Sequence, residues 1–179
     1  MTLDNSQELR AVLSERSRLG RVFARHAYGM VRWVDLFAAR IPAVADPEGK
    51  RLIASLVADN ARHAVLFRER AVARGMDPDA YVCPPEGEAI YERMAEISSL
   101  EELVDYARGS LDHFATLLGV YAAAATDDDL VTIEEVGRDV QRARSILGEH
   151  AGGSPGAMSA EANELYRVRE LAETASYAA

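Results

Sequence analysis

The sequence predicts an all-α protein, a four-helix bundle followed by one extra C-terminal helix. Three observations support this fold class. Apolar residues recur every three or four positions over several long segments, which is the periodicity of an amphipathic helix. Proline and glycine cluster between these segments, where helices end. The sequence contains neither the alternating pattern of a β-strand nor a glycine-rich phosphate loop.

Two long helices are predicted in the first half of the chain. The first covers about residues 6–41, with a bend near Gly20, and ends at Pro42, because proline lacks the amide hydrogen that a helix needs. The second covers about residues 48–74 and ends at Gly75, a residue typical of the position after a helix. The central stripe of the first helix consists of Leu19, Phe23, His26, Met30, Trp33, Phe37 and Ile41.

A long crossover separates this first pair of helices from a second pair. Residues 76–99 are rich in proline and include one short helix at about residues 88–97. A third long helix is predicted at about residues 100–125 and a fourth at about residues 130–150, after an acidic cap at residues 126–129. The long crossover therefore lies between helices 2 and 3 of the bundle.

The C-terminal part of the chain is predicted to be distinct from the bundle. Residues 1–150 form the bundle, and residues 151–179 form a glycine-rich hinge and an amphipathic helix at about residues 160–175. This helix has a narrow apolar seam, so we expect it to pack against the bundle or against a neighbouring subunit. The seam consists of Leu165, Val168 and Leu171.

Composition excludes several classes of function. The chain has 179 residues, of which 49% are hydrophobic, enough for one core. Its net charge is −9 and its basic residues are interspersed with acidic ones, so nucleic acid is not an expected partner. No apolar stretch is long enough to predict a membrane span, and no signal-peptide pattern opens the chain. With Cys83 as the single cysteine, these features indicate a cytoplasmic protein.

Polar residues occur on the apolar side of the predicted bundle helices. Asn60 and His63 lie one turn apart on the second helix, and His26 and His113 lie in the middle of the first and third helices. His26 and His63 are each about 24 Å from the loop that joins their helices, so an antiparallel pair places them at one height. Burying such a group unpaired costs about 1–3 kcal/mol. We therefore expect His26, Asn60 and His63 to hydrogen-bond one another or to hold a ligand.

The run Asp59-Asn60-Ala61-Arg62-His63 resembles the Glu-x-x-His helix of the ferritin-like di-iron carboxylate family, whose members often read Asp-Glu-Ala-Arg-His at this place. The resemblance extends over about residues 18–150. It implies the ferritin-like layout of two antiparallel helical hairpins joined by a long crossover. It also implies that the centre of the bundle is the functional site.

The di-iron ligand set that this resemblance implies is degenerate in the present sequence. Asn60 stands where the family has a bridging glutamate, and an amide does not supply the negative charge that two iron ions require. On the fourth helix, Asp139-x-x-Arg142 takes the place of the second Glu-x-x-His, and a guanidinium cannot ligate a metal. The sequence therefore predicts a ferritin-like protein without an intact di-iron site.

Our first functional hypothesis is a polar-lined cavity that binds a small ligand without a cofactor. His26, Asn60 and His63 supply hydrogen bonds in this hypothesis, and His26 or His63 is a general base if the protein is an enzyme. Ser110 also faces inward. The expected apolar walls are Trp33, Phe37, Phe67, Phe114 and Leu117.

Two alternatives remain open on the sequence. In one, a single transition-metal ion is bound by His26, His63 and His113, assisted by Asp139, and the protein is an oxidoreductase. In the other, the chain is a structural subunit of a homo-oligomer such as a homodimer, and its last helix swaps into the partner.

Overall fold

The computed structural model describes residues 16–151 and 153–177, and in this part of the chain the fold is all-helical, as predicted. Within these residues there are no β-strands, and no helix is long and apolar enough to cross a membrane. Short 3-10 turns occur at Ile41–Ala43 and Pro78–Ala80. The helices are α1 (Arg16–Ala38), α2 (Pro47–Ala73), α3 (Pro85–Glu96), α4 (Leu100–Ala124), α5 (Asp127–Ala151) and α6 (Ala157–Tyr177).

The helix boundaries follow local signals in the sequence. Pro47 opens α2, and the Asp46 carboxylate caps it by accepting a hydrogen bond from the Gly49 amide at 2.7 Å. Gly75 follows the same helix with a φ of +77°, a conformation that suits glycine. The predicted first helix was too long at its C-terminal end, because a 3-10 turn replaces its last residues, and its predicted start at residues 6–15 lies outside the described residues.

The six helices pack around two apolar clusters. α1 packs against α2, and α4 packs against both α5 and α6, while the crossover helix α3 contacts α1 and α6. The first cluster includes Phe23, Phe67 and Tyr121, and the second includes Trp33, Ile90 and Tyr106. The polar residues of the interior lie between these clusters.

Helix α6 packs on its own chain, which is one of the two arrangements expected for it. Its first turn is held by the Asp105 carboxylate of α4, which accepts hydrogen bonds from the Gly156 amide at 2.8 Å and the Ser159 hydroxyl at 2.6 Å. Burial opposes the ionisation of Asp105, but these hydrogen bonds outweigh it and lower its pKa. The helices approach closely at Gly109, where a Cβ atom would lie 2.3 Å from the Ser159 carbonyl oxygen.

The buried face of α6 coincides with the predicted apolar seam only at Leu165, which is partly buried against the second cluster. Val168 and Leu171 are 36% and 39% exposed. The face that packs inward is mostly polar, since charged side chains are buried there beside alanine and tyrosine. It consists of Ser159, Ala162, Tyr166, Arg169, Glu170 and Glu173.

We expect Gly109→Ala to destabilise the protein by about 1–3 kcal/mol, because the added methyl group must push α6 away from α4. Gly119→Ala, on the same helix, is the matched control, since nothing lies within 4 Å of its added Cβ. Alanine favours a helix over glycine, so we expect this control to be neutral or more stable. Urea denaturation measures the free energy of unfolding of each variant. Equal effects of the two substitutions would contradict the close contact.

Candidate functional site

A small cavity lies at the centre of the molecule, between the two apolar clusters. Its volume is about 50 Å³, and residues from all six helices line it. The polar and charged residues of its lining are His26, Asp59, Asn60, His63, Ser110, His113, Asp139 and Arg169. Its aromatic residues are Trp33, Phe37, Tyr91, Phe114 and Tyr166.

The size of the cavity limits what it can hold. A volume of about 50 Å³ has room for about three or four water-sized groups. Pockets for drug-sized ligands measure roughly 300–1,000 Å³. In this conformation the cavity therefore admits a molecule of a few non-hydrogen atoms and no nucleotide or other large ligand.

His26 is buried on α1 and is bound to Tyr121 rather than to another histidine. Its Nε2 lies 2.9 Å from the Tyr121 hydroxyl oxygen, which also accepts a hydrogen bond of 2.6 Å from Arg25. Because Arg25 occupies an acceptor site of that oxygen, the tyrosine proton can point to Nε2. Burial first, and then the charge of Arg25, hold the pKa of His26 well below its usual value. His26 is therefore neutral at pH 7.

His63 is buried on α2 and interacts with Asp139 of α5. Its Nε2 is 3.1 Å from a carboxylate oxygen of Asp139, so this nitrogen carries the proton and donates. The same carboxylate contacts Arg62 and lies 2.7 Å from Arg142. Burial and the nearby charge of Arg62 lower the pKa of His63 to about 4, and it too is neutral at pH 7.

His113 of α4 packs against Tyr166 of α6, with ring centroids 5.1 Å apart. Its Nε2 is buried and makes no hydrogen bond to a described residue, since the nearest carboxylate oxygen, on Glu170, is 3.9 Å away. Burial lowers the pKa of His113. The Tyr166 hydroxyl accepts a hydrogen bond of 3.1 Å from the Trp33 indole, which fixes this part of the wall.

Three buried charges lie next to the cavity. The Glu170 carboxylate of α6 is 3.0 Å from Arg25 of α1 and 2.6 Å from Arg169. All three residues are at most 4% exposed. Burial opposes the ionisation of Glu170, but the two guanidinium groups hold its pKa well below the usual range. We call Arg25, Glu170 and Arg169 the buried triad.

The remaining predicted residues lie at or near the same cavity. The Asn60 amide nitrogen donates a hydrogen bond of 2.7 Å to the Leu56 carbonyl oxygen. The Ser110 hydroxyl donates one of 3.0 Å to the Tyr106 carbonyl oxygen, and both bonds lie within a single helix. Trp33, Phe37, Phe114 and Leu117 line the wall as predicted. Phe67 does not line it; it packs behind His26, with ring centroids 5.3 Å apart.

The expected hydrogen bonds among His26, Asn60 and His63 do not form, because each residue has a different partner. The four proposed metal ligands border one cavity without forming a cluster. In residues 16–151 and 153–177, no group of three His, Cys, Asp or Glu side chains is placed to hold a metal ion. Asp139 is already bound by two guanidinium groups and an imidazole, so a metal ion would have to displace them.

The electrostatics of the site favour binding over proton transfer. A general base is most effective when its pKa is near the working pH. The pKa of His63 is lowered to about 4, and that of His26 is also far below neutrality, so both are weak bases. As neutral groups they remain suitable hydrogen-bonding partners for a ligand.

Sequence reasoning missed the charged part of the site. Arg169 and Glu170 occur on a helix that was predicted to lie outside the bundle, and adjacent charged residues normally indicate an exposed face. One available signal was the spacing of Tyr166, Glu170 and Glu173, which places them on one side of a helix.

Comparisons with protein-family models, with curated proteins and with solved structures return no match to this chain. The cavity and its lining are therefore the observations that bear on function.

The buried neutral histidines make stability depend on pH. The unfolded chain binds protons at these side chains below about pH 6.5, whereas folded His63 does so only near pH 4. The free energy of unfolding therefore falls as the pH is lowered through this window. For His63 we expect a loss of about 2 kcal/mol between pH 6.5 and pH 5, at about 1.4 kcal/mol per unit.

Urea unfolding of the wild type and of His63→Gln at pH 7 and pH 5 measures this effect. The variant should lose less stability on acidification, because it has one buried histidine fewer to protonate. His150→Gln, at an exposed position on α5, is the matched control. An identical acid response in His63→Gln and the wild type would show that His63 is protonated in the folded state.

Proposed function

We propose that this chain is a ferritin-like helical bundle whose centre binds a small organic molecule instead of iron. The central cavity carries this proposal. It unites polar side chains that the sequence singled out on separate helices, and it surrounds them with aromatic walls. Enclosed apolar cavities with a few polar groups are the usual form of small-molecule sites.

The polar groups of the cavity have unused hydrogen-bonding capacity, which supports a ligand. The Asn60 side-chain oxygen accepts no hydrogen bond from a described residue, since only its nitrogen is engaged. Arg169 Nη1 donates to no described residue, and His113 Nε2 is buried without a partner. Buried polar groups are normally satisfied, so the buried His113 Nε2, together with the unused atoms of Asn60 and Arg169 in the same lining, favours a bound polar molecule.

The ferritin-like part of the proposal is supported by the pairing of α2 and α5. The motifs Asn60-x-x-His63 and Asp139-x-x-Arg142 face each other, and Arg142, which is half exposed and does not line the cavity, bridges the carboxylates of Asp59 and Asp139 at 2.9 Å and 2.7 Å. A guanidinium group of the protein thus offsets the charge of these two carboxylates, and no metal ion is required for that.

Acetamide is a suitable neutral probe, since it has four non-hydrogen atoms. Trp33 lines the cavity and is the only tryptophan, so its indole NMR resonance reports binding directly. We expect a saturable shift of this resonance in the wild type and none in Ala143→Leu, because the larger side chain fills the cavity. Ala123→Leu, at an exposed position on α4, is the matched control and should bind as the wild type does.

Circular dichroism establishes that each variant is folded. A wild type in which neither acetamide nor acetate, its charged counterpart of the same size, produces a saturable shift would overturn the proposal. Unchanged binding in Ala143→Leu would place the probe outside the cavity and would overturn it as well.

The alternative of a single metal ion at His26, His63, His113 and Asp139 is tested by metal analysis. We expect protein purified without a histidine tag, and then incubated with Fe²⁺, Cu²⁺ or Zn²⁺ and dialysed, to retain only substoichiometric metal. The physical reason is that Asp139 is engaged by guanidinium groups and His26 by Tyr121. One equivalent of metal that is lost in His63→Gln would favour the oxidoreductase hypothesis instead.

A further inference from the structure

We infer that the ligand of the central cavity is a small carboxylate, of the size of acetate, bound by Arg169 and His113. This inference rests on the proposed function and assigns a chemical class to the ligand. Two residues on different helices, Arg169 of α6 and His113 of α4, line the cavity, and Arg169 Nη1 and His113 Nε2 bind no described residue. Both side chains lie near the same oxygen of Glu170, with Arg169 Nη2 at 2.6 Å and His113 Nε2 at 3.9 Å, and both contact the Tyr166 ring, so they belong to the same part of the wall.

Arg169 is held in place while part of its guanidinium stays available. Its Nε and Nη2 donate to one oxygen of Glu170 at 3.2 Å and 2.6 Å, and its guanidinium carbon lies 4.7 Å from the Tyr166 ring centre. These contacts leave Nη1 without an acceptor among the described residues. A fixed, buried guanidinium with a free edge is a strong binding group for a carboxylate.

His113 supplies a second donor. Only 5% of His113 is exposed, and its Nε2 has no hydrogen-bond partner among the described residues. The distance of 3.9 Å to Glu170 is too long for a hydrogen bond. A neutral imidazole that carries its proton on Nε2 can donate to one oxygen of a bound anion.

The neighbouring carboxylate of Glu170 does not prevent an anion from binding. Arg25 holds this carboxylate on the side away from Arg169, at 3.0 Å, so its negative charge is shared between two guanidinium groups. Within the buried triad, positive groups outnumber negative ones. The two guanidinium groups therefore offset the repulsion between Glu170 and a bound anion.

Size and shape select a short carboxylate over other anions. A cavity of about 50 Å³ accommodates four non-hydrogen atoms and excludes benzoate. A phosphate ion presents more oxygen atoms than two donors can satisfy, and an unsatisfied buried oxygen is unfavourable. The methyl group of an acetate-sized ligand would face the aromatic wall formed by Trp33, Phe37 and Phe114.

Acetate and acetamide form a nearly isosteric pair that differs in charge. We expect acetate to bind about tenfold more tightly than acetamide in HEPES buffer without chloride, as measured by the Trp33 indole resonance, because a charge-assisted hydrogen bond replaces a neutral one. Benzoate should produce no saturable shift. Arg169→Gln should bind acetate and acetamide equally, and Arg167→Gln, an arginine of the same helix paired with Glu164, should retain the preference.

If Arg169→Gln does not fold, His113→Leu provides the second variant and should reduce the preference for acetate. Equal binding of both probes by the wild type would overturn the carboxylate inference and leave the proposed function intact. If Arg169→Gln and His113→Leu both keep the wild-type preference for acetate, the carboxylate inference is likewise overturned and the proposed function is unaffected. No shift with either probe in the wild type would overturn the inference and the proposed function together.

Discussion

The buried Glu170 carboxylate, held between Arg25 and Arg169, is the interaction on which the centre of the molecule depends. An isolated buried charge is strongly unfavourable, so these three groups must remain together. Since Arg25 belongs to α1, their pairing joins the C-terminal helix to the bundle. It also places Arg169 and Tyr166 at the cavity, and the cavity would lose one wall without α6. The C-terminal helix is therefore a structural part of the candidate site.

Charge pairing also governs the interface of α2 with α5. Arg62 and Arg142 bind the Asp139 carboxylate, and Arg74 binds the buried Asp129 carboxylate near the other end of the interface. A carboxylate that is neutralised by a guanidinium needs no metal ion to remain buried. The interior thus combines carboxylates that are paired with arginine side chains and histidines that are neutral.

The helices and half of the site could be predicted from sequence, because the signals for them lie within short segments of the chain. Apolar periodicity and proline or glycine at helix ends determine the elements, and a polar residue on an apolar stripe, such as His26 or Asn60, is visible as an exception. Hydrogen-bond partners are not visible in this way, because the pairs His26–Tyr121 and His63–Asp139 are distant in sequence. Arg169 and Glu170 were missed because a charged pair on a helix ordinarily faces solvent.

The protonation states narrow the kinds of chemistry that the site can perform. Burial and nearby guanidinium groups favour neutral imidazoles, because a protonated histidine would add positive charge beside Arg25 or Arg62. Burial and the same guanidinium groups make these imidazoles weak bases, which disfavours proton abstraction from a substrate. As neutral groups, the imidazoles can still donate and accept hydrogen bonds. The protonation states therefore support the proposal that the cavity binds a small molecule over the proposal that it performs acid–base catalysis.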